Sequence, residues 1–300
     1  MKVAVIGGSG FIGSHLVDKL IDDSHDVTVY DIMKPHRDVR HIIIDIMDFH
    51  RTVVALAGDY DVYYILAAMA NVNDIYKNPL ETAIVNYQGI VNILEAVRRY
   101  GGRVILASTV WVYMLADEEQ VDEETPLLVQ NVNHTYTASK IAAELYMQAY
   151  HKLYGLEFSI LRYGIPYGPR GRGGTVITNF VDRALKKQPL MIHGDGSQFR
   201  NFIFVEDLAD GNVAALSEVA KNKIYNLEGL RPITIKEVAE TVSQLIPGAK
   251  VEYIEQRAGD FKGKIASNDK ATRELGWKPK VDLVEGIQKY IDWYKESQKK

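Results

Sequence analysis

Cysteine is absent from the 300 residues of this chain. Its absence excludes disulfide bonds, cysteine-ligated zinc and thiol catalysis, and makes a cytoplasmic location the default expectation. Long apolar runs are also missing, since the longest candidate, residues 62–70, is far shorter than the ~20 residues that a membrane-spanning helix needs. The first residues lack the charged and then apolar pattern of a signal segment, so we expect no export signal and no membrane partner.

A strong excess of charge of either sign is lacking too. Lys and Arg together number 35 and Asp and Glu number 39, which gives a formal net charge of −4. This balance does not favour binding to nucleic acid or to an anionic membrane surface. Apolar residues make up 47% and charged residues 25%, in a length that suits one large or two modest domains with ample core.

A glycine-rich turn follows the first predicted strand. Residues 2–6 predict a short buried strand, Gly7-Gly8-Ser9-Gly10-Phe11-Ile12-Gly13 follows at once, and residues 14–21 predict an amphipathic helix. Glycine permits the tight turn and the close approach of the backbone to a pyrophosphate, and free N–H groups at the start of a helix attract phosphate. Together, the strand, the turn and the helix predict a dinucleotide site.

The second predicted strand, residues 26–31, ends in an acid. Asp31 at this position can hydrogen-bond an adenosine ribose and would repel a 2′-phosphate, which favours NAD over NADP. The alternative is an aspartate that caps a turn at the end of the strand. Lys34 and Arg37 lie close by in the sequence and leave NADP open.

Strands and helices alternate through the first half of the chain. Strands are predicted at 41–45, 60–68, 103–107 and 157–161, and long helices at 79–100 and 136–154. This alternation predicts an α/β fold, a Rossmann-type doubly wound parallel sheet. We expect a cofactor-binding domain at 1–163 and a smaller α/β substrate lobe at 164–300, with part of 203–230 returning to the first domain. Asp195-Gly196 predicts a hairpin turn between 190–193 and 199–204.

Tyr136 and Lys140 are the candidate catalytic pair. They stand four residues apart on a predicted helix, which places a phenol and an ammonium on one face. A nearby cation favours the phenolate, so the tyrosine can become a general base. The pattern alone is weak, because Tyr30 and Lys34 share the spacing and an ordinary exposed helix face is the alternative.

Polar residues elsewhere have two interpretations each. Ser108 and Thr109 end a predicted strand, where ligands of parallel sheets bind, and their hydroxyls could bond a substrate oxygen or cap a turn. Arg200 and Arg257 stand among apolar or glycine-rich neighbours, where an arginine can pair with a carboxylate or clamp a diphosphate.

In combination, these motifs resemble the extended short-chain dehydrogenase/reductases, specifically the NAD-dependent sugar-nucleotide epimerase/dehydratase group. The resemblance covers essentially the whole chain. It rests on Gly7 to Gly13, Asp31, Asp45-Ile46, Leu66-Ala67-Ala68, Asn86, Ser108-Thr109, Tyr136-x-x-x-Lys140, Leu161-Arg162-Tyr163, Gly194-Asp195-Gly196, Val205-Glu206-Asp207, Arg257-Ala258-Gly259-Asp260 and Leu275-Gly276-Trp277.

The resemblance implies NAD as the cofactor and gives each matching residue a role. The pyrophosphate would lie on Gly7, Gly10, Phe11, Ile12 and Gly13, the ribose on Asp31, the adenine on Asp45 and Ile46, and the remaining cofactor path on Leu66, Ala67, Ala68, Asn86, Ala107, Tyr136, Lys140 and Tyr163. Tyr136 would be the base, with Lys140 lowering its pKa, and Thr109 would share the sugar hydroxyl proton. Substrate contacts would come from Thr109, Thr175, Val176, Arg200, Arg257 and Asp260.

Departures from the group narrow the expected reaction. Related 4,6-dehydratases and decarboxylases carry a carboxylate one or two positions after Thr109, where this chain has Val110 and Trp111. The resemblance therefore favours 4-epimerisation of a nucleotide sugar, of the UDP-glucose/UDP-galactose type, through a transient 4-keto intermediate. A 4-keto reductase, a 4,6-dehydratase with other acids and a non-enzymatic dinucleotide sensor are the alternatives.

Other departures concern the substrate and the assembly. Ile165 and Asn201 stand where the group usually has Asn and Asp, and Lys264 stands near the sugar, where it would suit an acidic one. In relatives, the helices at 79–100 and 136–154 pair across a two-fold axis. A homodimer is therefore expected.

Overall fold

The computed structural model describes residues 1–171, 173–255 and 263–299. Its strands, in chain order, are β1 (Lys2–Ile6), β2 (Asp26–Asp31), β3 (Arg40–Ile43), β4 (Val62–Ile65), β5 (Arg103–Thr109), β6 (Gln120–Val121), β7 (Phe158–Tyr163), β8 (Ile165–Tyr167), β9 (Leu190–His193), β10 (Phe199–Arg200), β11 (Phe202–Phe204), β12 (Lys223–Leu227), β13 (Ile233–Thr234), β14 (Val251–Ile254) and β15 (Ile265–Ala266).

Helices separate most of these strands. They are α1 (Phe11–Asp22), α2 (Phe49–Ala55), α3 (Val72–Lys77), α4 (Pro79–Ala83), α5 (Gly89–Tyr100), α6 (Thr135–Tyr154), α7 (Val176–Leu185), α8 (Val205–Ala214), α9 (Ile235–Leu245), α10 (Asp269–Leu275) and α11 (Leu283–Ser297). Among the residues described, no helix has both the length and the apolar character that crossing a membrane requires.

In the described chain, one large sheet has seven strands in the order β12-β7-β5-β4-β1-β2-β3. Every neighbouring pair in it is parallel. All residues of β4 and β5 are buried, as expected for a parallel sheet that helices cover on both faces. The predicted Rossmann-type α/β fold is confirmed.

Each side of this sheet packs against a different apolar core. Ala4 and Ile6 of β1 pack into one cluster with residues of α5 and α6, while Val3 and Val5 pack into the other with α1 and α8. Alternate residues of a strand point to opposite faces, so a single short strand contributes to both cores. A third cluster lies in the second half of the chain, between α7, α9 and α11.

The long helix predicted at 79–100 is interrupted. A π-helical turn, Ile84–Gln88, lies between α4 and α5. Such turns insert one extra residue into a helix and are frequent at functional sites. Here the turn contains Asn86, one of the predicted cofactor residues, which is completely buried.

The hairpin predicted around Asp195-Gly196 is wrong. In the structure β9 pairs with β14 and β10 pairs with β13, so the two strands beside this turn do not pair with each other. The turn itself exists, because Gly196 has a φ of +75° and the Asp195 carboxylate accepts a hydrogen bond from Ser197 N at 2.9 Å. The sequence around a turn predicts the bend, but long-range contacts decide which strands pair.

The last strand of the large sheet comes from the second half of the chain. β12 lies beside β7, with Leu227 opposite Tyr163, so the ends of both strands reach the same edge. The helix before it, α8, packs against α1. The carboxyl ends of β1, β2, β4, β5, β7 and β12 together form the edge at which ligands of such sheets bind.

Candidate active site

The glycine turn after β1 is tightly closed. Gly7 has a φ of +87°, which side chains rarely allow, and its N–H donates to the carbonyl of Tyr30 at 2.8 Å. A Cβ atom on Gly13 would overlap the Gly7 carbonyl oxygen and lie 2.8 Å from the Gly8 Cα. The first turn of α1 therefore lies directly on the loop, and its free N–H groups point to the edge of the sheet where a pyrophosphate would fit.

We expect Gly13→Ala to abolish dinucleotide binding and to lower stability, because the added methyl group must push the turn away from α1. Gly173→Ala is the matched control, since a Cβ there meets nothing within 4 Å. The measurements are calorimetric titration with NAD and thermal unfolding of both variants. Unchanged NAD affinity in Gly13→Ala would contradict the assignment of this turn to the cofactor.

Asp31 at the end of β2 is held in place by backbone groups. One carboxylate oxygen accepts a hydrogen bond from Ser9 N at 2.9 Å, and the other accepts one from Met33 N at 2.9 Å. The side chain thus joins the glycine turn to the end of β2. A carboxylate has about four acceptor positions, so Asp31 can still accept bonds from the hydroxyls of a ribose.

The other predicted cofactor residues lie along the same edge. Asp45 is exposed and its carboxylate accepts from Met47 N at 3.0 Å, while Ile46 is buried against α5. Leu66 and Ala67 follow β4, and both N–H groups donate to the carbonyl of Ile6. This pairing keeps the segment after β4 beside the glycine turn.

Asn86 holds the backbone after Ala68. Its Oδ1 accepts from Met69 N at 2.7 Å, and its Nδ2 donates to Met69 O at 2.9 Å. The Nδ2 also lies 3.3 Å from Ser139 Oγ, which in turn donates to the carbonyl of Tyr136 at 2.7 Å. Asn86 therefore links the segment after β4 to the helix that carries the candidate base.

Tyr136 and Lys140 lie on α6 as predicted, but they are not in direct hydrogen-bond contact. The Lys140 Nζ lies 5.8 Å from the centroid of the Tyr136 ring and donates to the carbonyl of Ala107 at 3.0 Å. Lys140 is 3% exposed. The bond to Ala107 fixes the ammonium on β5, two residues before Thr109 in the sequence.

Burial controls the ionisation of both residues. It lowers the pKa of Lys140 to about 8, against the opposing charge of Glu144. It raises the pKa of Tyr136 to about 12. Desolvation disfavours the phenolate and causes this rise, and a lowering of the Tyr136 pKa by Lys140 stays a prediction.

Thr109 and Ser108, at the end of β5, have different roles. Thr109 Oγ1 accepts from Trp111 N at 3.2 Å and so caps the short 3₁₀ turn Val110–Tyr113, while its own proton stays available for donation. Ser108 Oγ instead donates to Glu144 Oε1 at 2.5 Å. Ser108 is therefore part of the buried scaffold.

That scaffold is a buried ion pair that the sequence did not reveal. Glu144 lies on α6, four residues after Lys140, and accepts two hydrogen bonds from Arg162 of β7, at 3.1 and 2.6 Å. The side chains are 0% and 3% exposed. Arg162 also donates to the hydroxyl of Tyr113 at 2.5 Å. The four-residue spacing of 136, 140 and 144 was the available signal.

These contacts hold the helix of the candidate base against β5 and β7. Burial by itself would lower the pKa of Arg162, but the hydrogen bond and charge of Glu144 raise the pKa above its usual value. Arg162 is therefore charged at neutral pH.

Tyr163 ends β7 and is buried. Its hydroxyl donates to Asn212 Oδ1 of α8 at 2.5 Å. Burial raises the pKa of Tyr163 above its ordinary value, so it stays a neutral phenol. Its assignment to the nicotinamide remains a prediction.

The structure describes some of the predicted substrate residues and not others. Thr175 caps α7, with its hydroxyl 3.0 Å from that of Thr178, and Val176 is the first residue of that helix. Arg200 lies on β10, and one of its contacts is a donation to Phe199 O at 2.7 Å. Arg257 and Asp260 lie outside the described residues.

Lys264 is engaged with backbone oxygens. Its Nζ donates to the carbonyls of Ala116 at 2.5 Å and Glu118 at 2.8 Å. Its ammonium therefore joins two segments of the chain. To bind an acidic sugar directly, the same ammonium would have to contact the sugar as well as these two carbonyls.

Val110 and Trp111 occupy the 3₁₀ turn after Thr109, and the Trp111 ring lies 5.3 Å from that of His134. The turn therefore presents apolar groups at both positions. In residues 1–171, 173–255 and 263–299, no cluster of three or more His, Asp or Glu side chains could hold a metal ion.

The chain is similar to known proteins over nearly its full length. The sequence model of the NAD dependent epimerase/dehydratase family matches residues 3–227. A Methanocaldococcus jannaschii protein provisionally named UDP-glucose 4-epimerase is 35% identical and aligns over 98% of this chain and 99% of its own. The UDP-glucuronate 4-epimerase of Thermodesulfobacterium geofontis is 32% identical, with coverage of 98% and 96%. The UDP-glucuronic acid decarboxylase 1 of Arabidopsis thaliana is 34% identical, with coverage of 97% and 69%.

Solved structures of similar proteins have the same fold. The UDP-glucose 4-epimerase of Thermus thermophilus, in complex with NAD, has a TM-score of 0.87 and 30% identity, over 98% of this chain and 99% of its own. The UDP-glucuronic acid 4-epimerase of Bacillus cereus, with UDP-glucuronic acid and NAD, has a TM-score of 0.89 and 27% identity, over 99% and 100%.

Proposed function

This chain belongs to the NAD-dependent epimerase/dehydratase family, and from that membership we propose that it is an NAD-dependent 4-epimerase of UDP-sugars. Its cofactor is NAD, and the family contains both UDP-sugar epimerases and UDP-sugar decarboxylases. One observation carries the choice of epimerisation. Lys140 donates to Ala107 of β5, two residues before Thr109, and Tyr136 lies one turn before Lys140 on α6, while the two positions after Thr109 carry only apolar side chains.

The cofactor would be held along the edge of the sheet. The turn of Gly7, Gly10 and Gly13, with the N–H groups of Phe11 and Ile12, would bind the pyrophosphate. Asp31 would accept from the adenosine ribose, and Lys140, fixed on Ala107, would donate to the nicotinamide ribose. Bound NAD supplies a hydride acceptor that becomes the donor in the return step.

The chemistry of the protein itself is proton transfer. Tyr136 would remove the proton of the C4 hydroxyl, with Thr109 donating a hydrogen bond to the same oxygen. The positive charges of Lys140 and of the oxidised cofactor would oppose the burial that raises the pKa of Tyr136. Once the 4-keto sugar has turned its other face, Tyr136 would return the proton to the C4 oxygen. No net oxidation or reduction results.

Decarboxylation or dehydration needs a further acid or base near C5 of the sugar. Val110 and Trp111 cannot ionise, so these reactions would require groups from elsewhere in the chain. A 4-keto reductase needs only the groups described here but would consume free reduced cofactor. A non-enzymatic sensor would have no use for a buried, fixed lysine beside a tyrosine.

A panel of sugar nucleotides tests the proposal. We expect the purified protein with NAD to convert at least one of UDP-glucose, UDP-galactose, their N-acetylamino forms and UDP-glucuronate into its C4 epimer. Proton NMR identifies the product, and absorbance at the NADH band measures net redox. A deoxy-keto or pentose product, or stoichiometric NADH, would overturn the assignment.

We also propose a homodimer built on α4, α5 and α6. Large apolar side chains on this surface are between 42% and 74% exposed, namely Leu80, Leu145, Tyr146, Leu153 and Tyr154. Tyr146 and Leu153 stand seven residues apart and share one face of α6. Association of two copies would remove this apolar surface from water.

Light scattering tests the dimer. We expect twice the chain mass at micromolar concentration, and a shift toward the monomer in Leu153→Asp, because a charge would be buried in the interface. Leu230→Asp, at a leucine 53% exposed in the second half of the chain, is the matched control and should not change the mass. A monomeric parent protein would refute the proposal.

A further inference from the structure

Glu228 is a carboxyl group buried at the edge of the sheet where ligands bind. It follows β12 directly, beside the end of β7, and is 2% exposed. Within the described residues, neither of its carboxyl oxygens has a hydrogen-bond partner. Burial raises the pKa of Glu228 well above its usual range, against the opposing effects of the Asn201 side chain and of the Gly229 N–H.

Asn201, beside it, has a buried acceptor that lacks a donor. Its Nδ2 donates to the carbonyl of Lys264 at 2.7 Å. This bond fixes the orientation of the amide, because the reverse orientation would place two oxygens against each other. Its Oδ1 has no hydrogen-bond partner among the residues that the structure describes. One proton on Glu228 would provide the donor that this oxygen lacks.

Both side chains are locked in place by the backbone around them. Glu228 N donates to Asn268 Oδ1 at 2.8 Å, and Asn268 Nδ2 donates back to Glu228 O at 3.0 Å. A Cβ on Gly164 would overlap the Glu228 carboxyl and lie 2.8 Å from the carbonyl oxygen of Asn201. The carboxyl group therefore packs against Gly164, in the main chain that leaves β7, on the side of the Asn201 carbonyl.

The position of Asn201 connects this pair to the substrate residues. Asn201 follows Arg200, and its carbonyl accepts from Ile165 N at 2.9 Å. Lys264, which receives the amide bond, lies four residues after Asp260 in the sequence. Asn201 thus connects Arg200, one of the predicted substrate residues, to Lys264.

We propose that Glu228 carries a proton at neutral pH, donates it to Asn201 Oδ1, and through Asn201 positions the Arg200 and Lys264 segments for a nucleotide diphosphate. The identity of the ligand rests on the function proposed above. The protonation of Glu228 does not depend on that function. Glu228 is a positioning residue, because it acts only through Asn201. The proximity of Glu228 also explains why position 201 has an asparagine, since an aspartate there would place a second carboxyl group against that of Glu228.

Loss of the proton would weaken the site. A buried negative charge would then draw the N–H groups of Asn201 toward itself and away from the carbonyl of Lys264. In the described part of the chain, the groups that act on the ionisation of Glu228 are the Asn201 amide and the Gly229 N–H, and no charged side chain is among them. Affinity for the nucleotide should therefore fall as the pH rises through the pKa of Glu228.

The proton can be observed directly. In protein labelled with ¹³C at the glutamate carboxyls, we expect one resonance at the position of a neutral acid at pH 7, absent from Glu228→Gln and retained in Glu252→Gln. Glu252 is an exposed residue of β14 and serves as the control. If every glutamate resonance has the ionised position at pH 7, the proposal fails.

Stability gives a second readout. An unfolded glutamate ionises near pH ~4.3, so above this pH the folded state holds one more proton than the unfolded state, and stability falls as pH rises toward the folded pKa. Glutamine keeps a donor but has no proton to lose. The melting temperature of Glu228→Gln should therefore exceed that of the parent by a margin that grows from about pH 5 to about pH 8; a margin independent of pH would contradict the proposal.

Titration with UDP tests the positioning role. We expect UDP affinity of the parent to fall at alkaline pH with the midpoint found by NMR, and that of Glu228→Gln to stay level. A parallel fall in both proteins would show that Glu228 does not position the site. If neither protein binds UDP, the proposed function fails. The NMR and thermal data then decide by themselves whether Glu228 carries a proton.

Discussion

Replacement of Tyr136 by phenylalanine should abolish most turnover while leaving NAD bound. The change removes one hydroxyl from a residue whose ring can stay in place, so the site keeps its shape but loses its base. Loss of a general base typically slows a reaction by about 10²–10⁴-fold.

The measurement is the rate of C4 epimer formation by NMR, together with the NAD released from denatured protein. Tyr253→Phe, at an exposed tyrosine of β14, is the matched control and should retain full activity and cofactor. Unchanged turnover in Tyr136→Phe would remove this residue from the mechanism. Loss of NAD along with activity would instead indicate damage to the cofactor site.

Replacement of Glu144 by alanine should have the largest effect on folding. Arg162 would keep its charge inside the protein, where its side chain is 3% exposed, without the carboxylate that now accepts two of its hydrogen bonds. Removing one partner of a buried ion pair typically costs about 3–5 kcal/mol of unfolding free energy. Ser108 would also lose its acceptor.

Urea unfolding curves of parent and variant measure this loss. Glu218→Ala is the control, because Glu218 pairs with Lys221 at 2.9 Å on the surface, where water replaces the lost contact. The double variant Glu144→Leu/Arg162→Met should recover part of the loss, since neither charge then remains buried. A Glu144→Ala protein as stable as the parent would show that the pair contributes nothing.

The sheet and the cofactor could be predicted from the sequence because their signals are local. Strand, glycine turn and helix lie within residues 2–22, and the glycine spacing follows from steric limits that any chain must obey. The strands and helices are likewise recognisable locally, because apolar residues recur every second residue in a strand and about every 3.6 residues in a helix. The predicted fold class, the family and the cofactor NAD are confirmed.

The hairpin prediction failed because strand pairing depends on contacts between distant residues. Asp195-Gly196 does make a turn, yet β9 pairs with β14, some sixty residues away in the sequence. Tyr136 and Lys140 have the expected spacing on α6, and the structure adds the bond from the ammonium to Ala107 on another element. A four-residue spacing places two side chains on one face of a helix without deciding which atoms they contact.

By itself, the sequence determined the class of fold, the position of the dinucleotide turn and the candidate base, because each depends on residues close together in the chain. Only the tertiary structure decided the partners of buried polar groups. Glu144 and Arg162, and Glu228 and Asn201, meet across 18 and 27 residues of sequence, respectively. Burial makes the protonation of such groups depend on the few atoms around them, and folding alone determines which atoms those are.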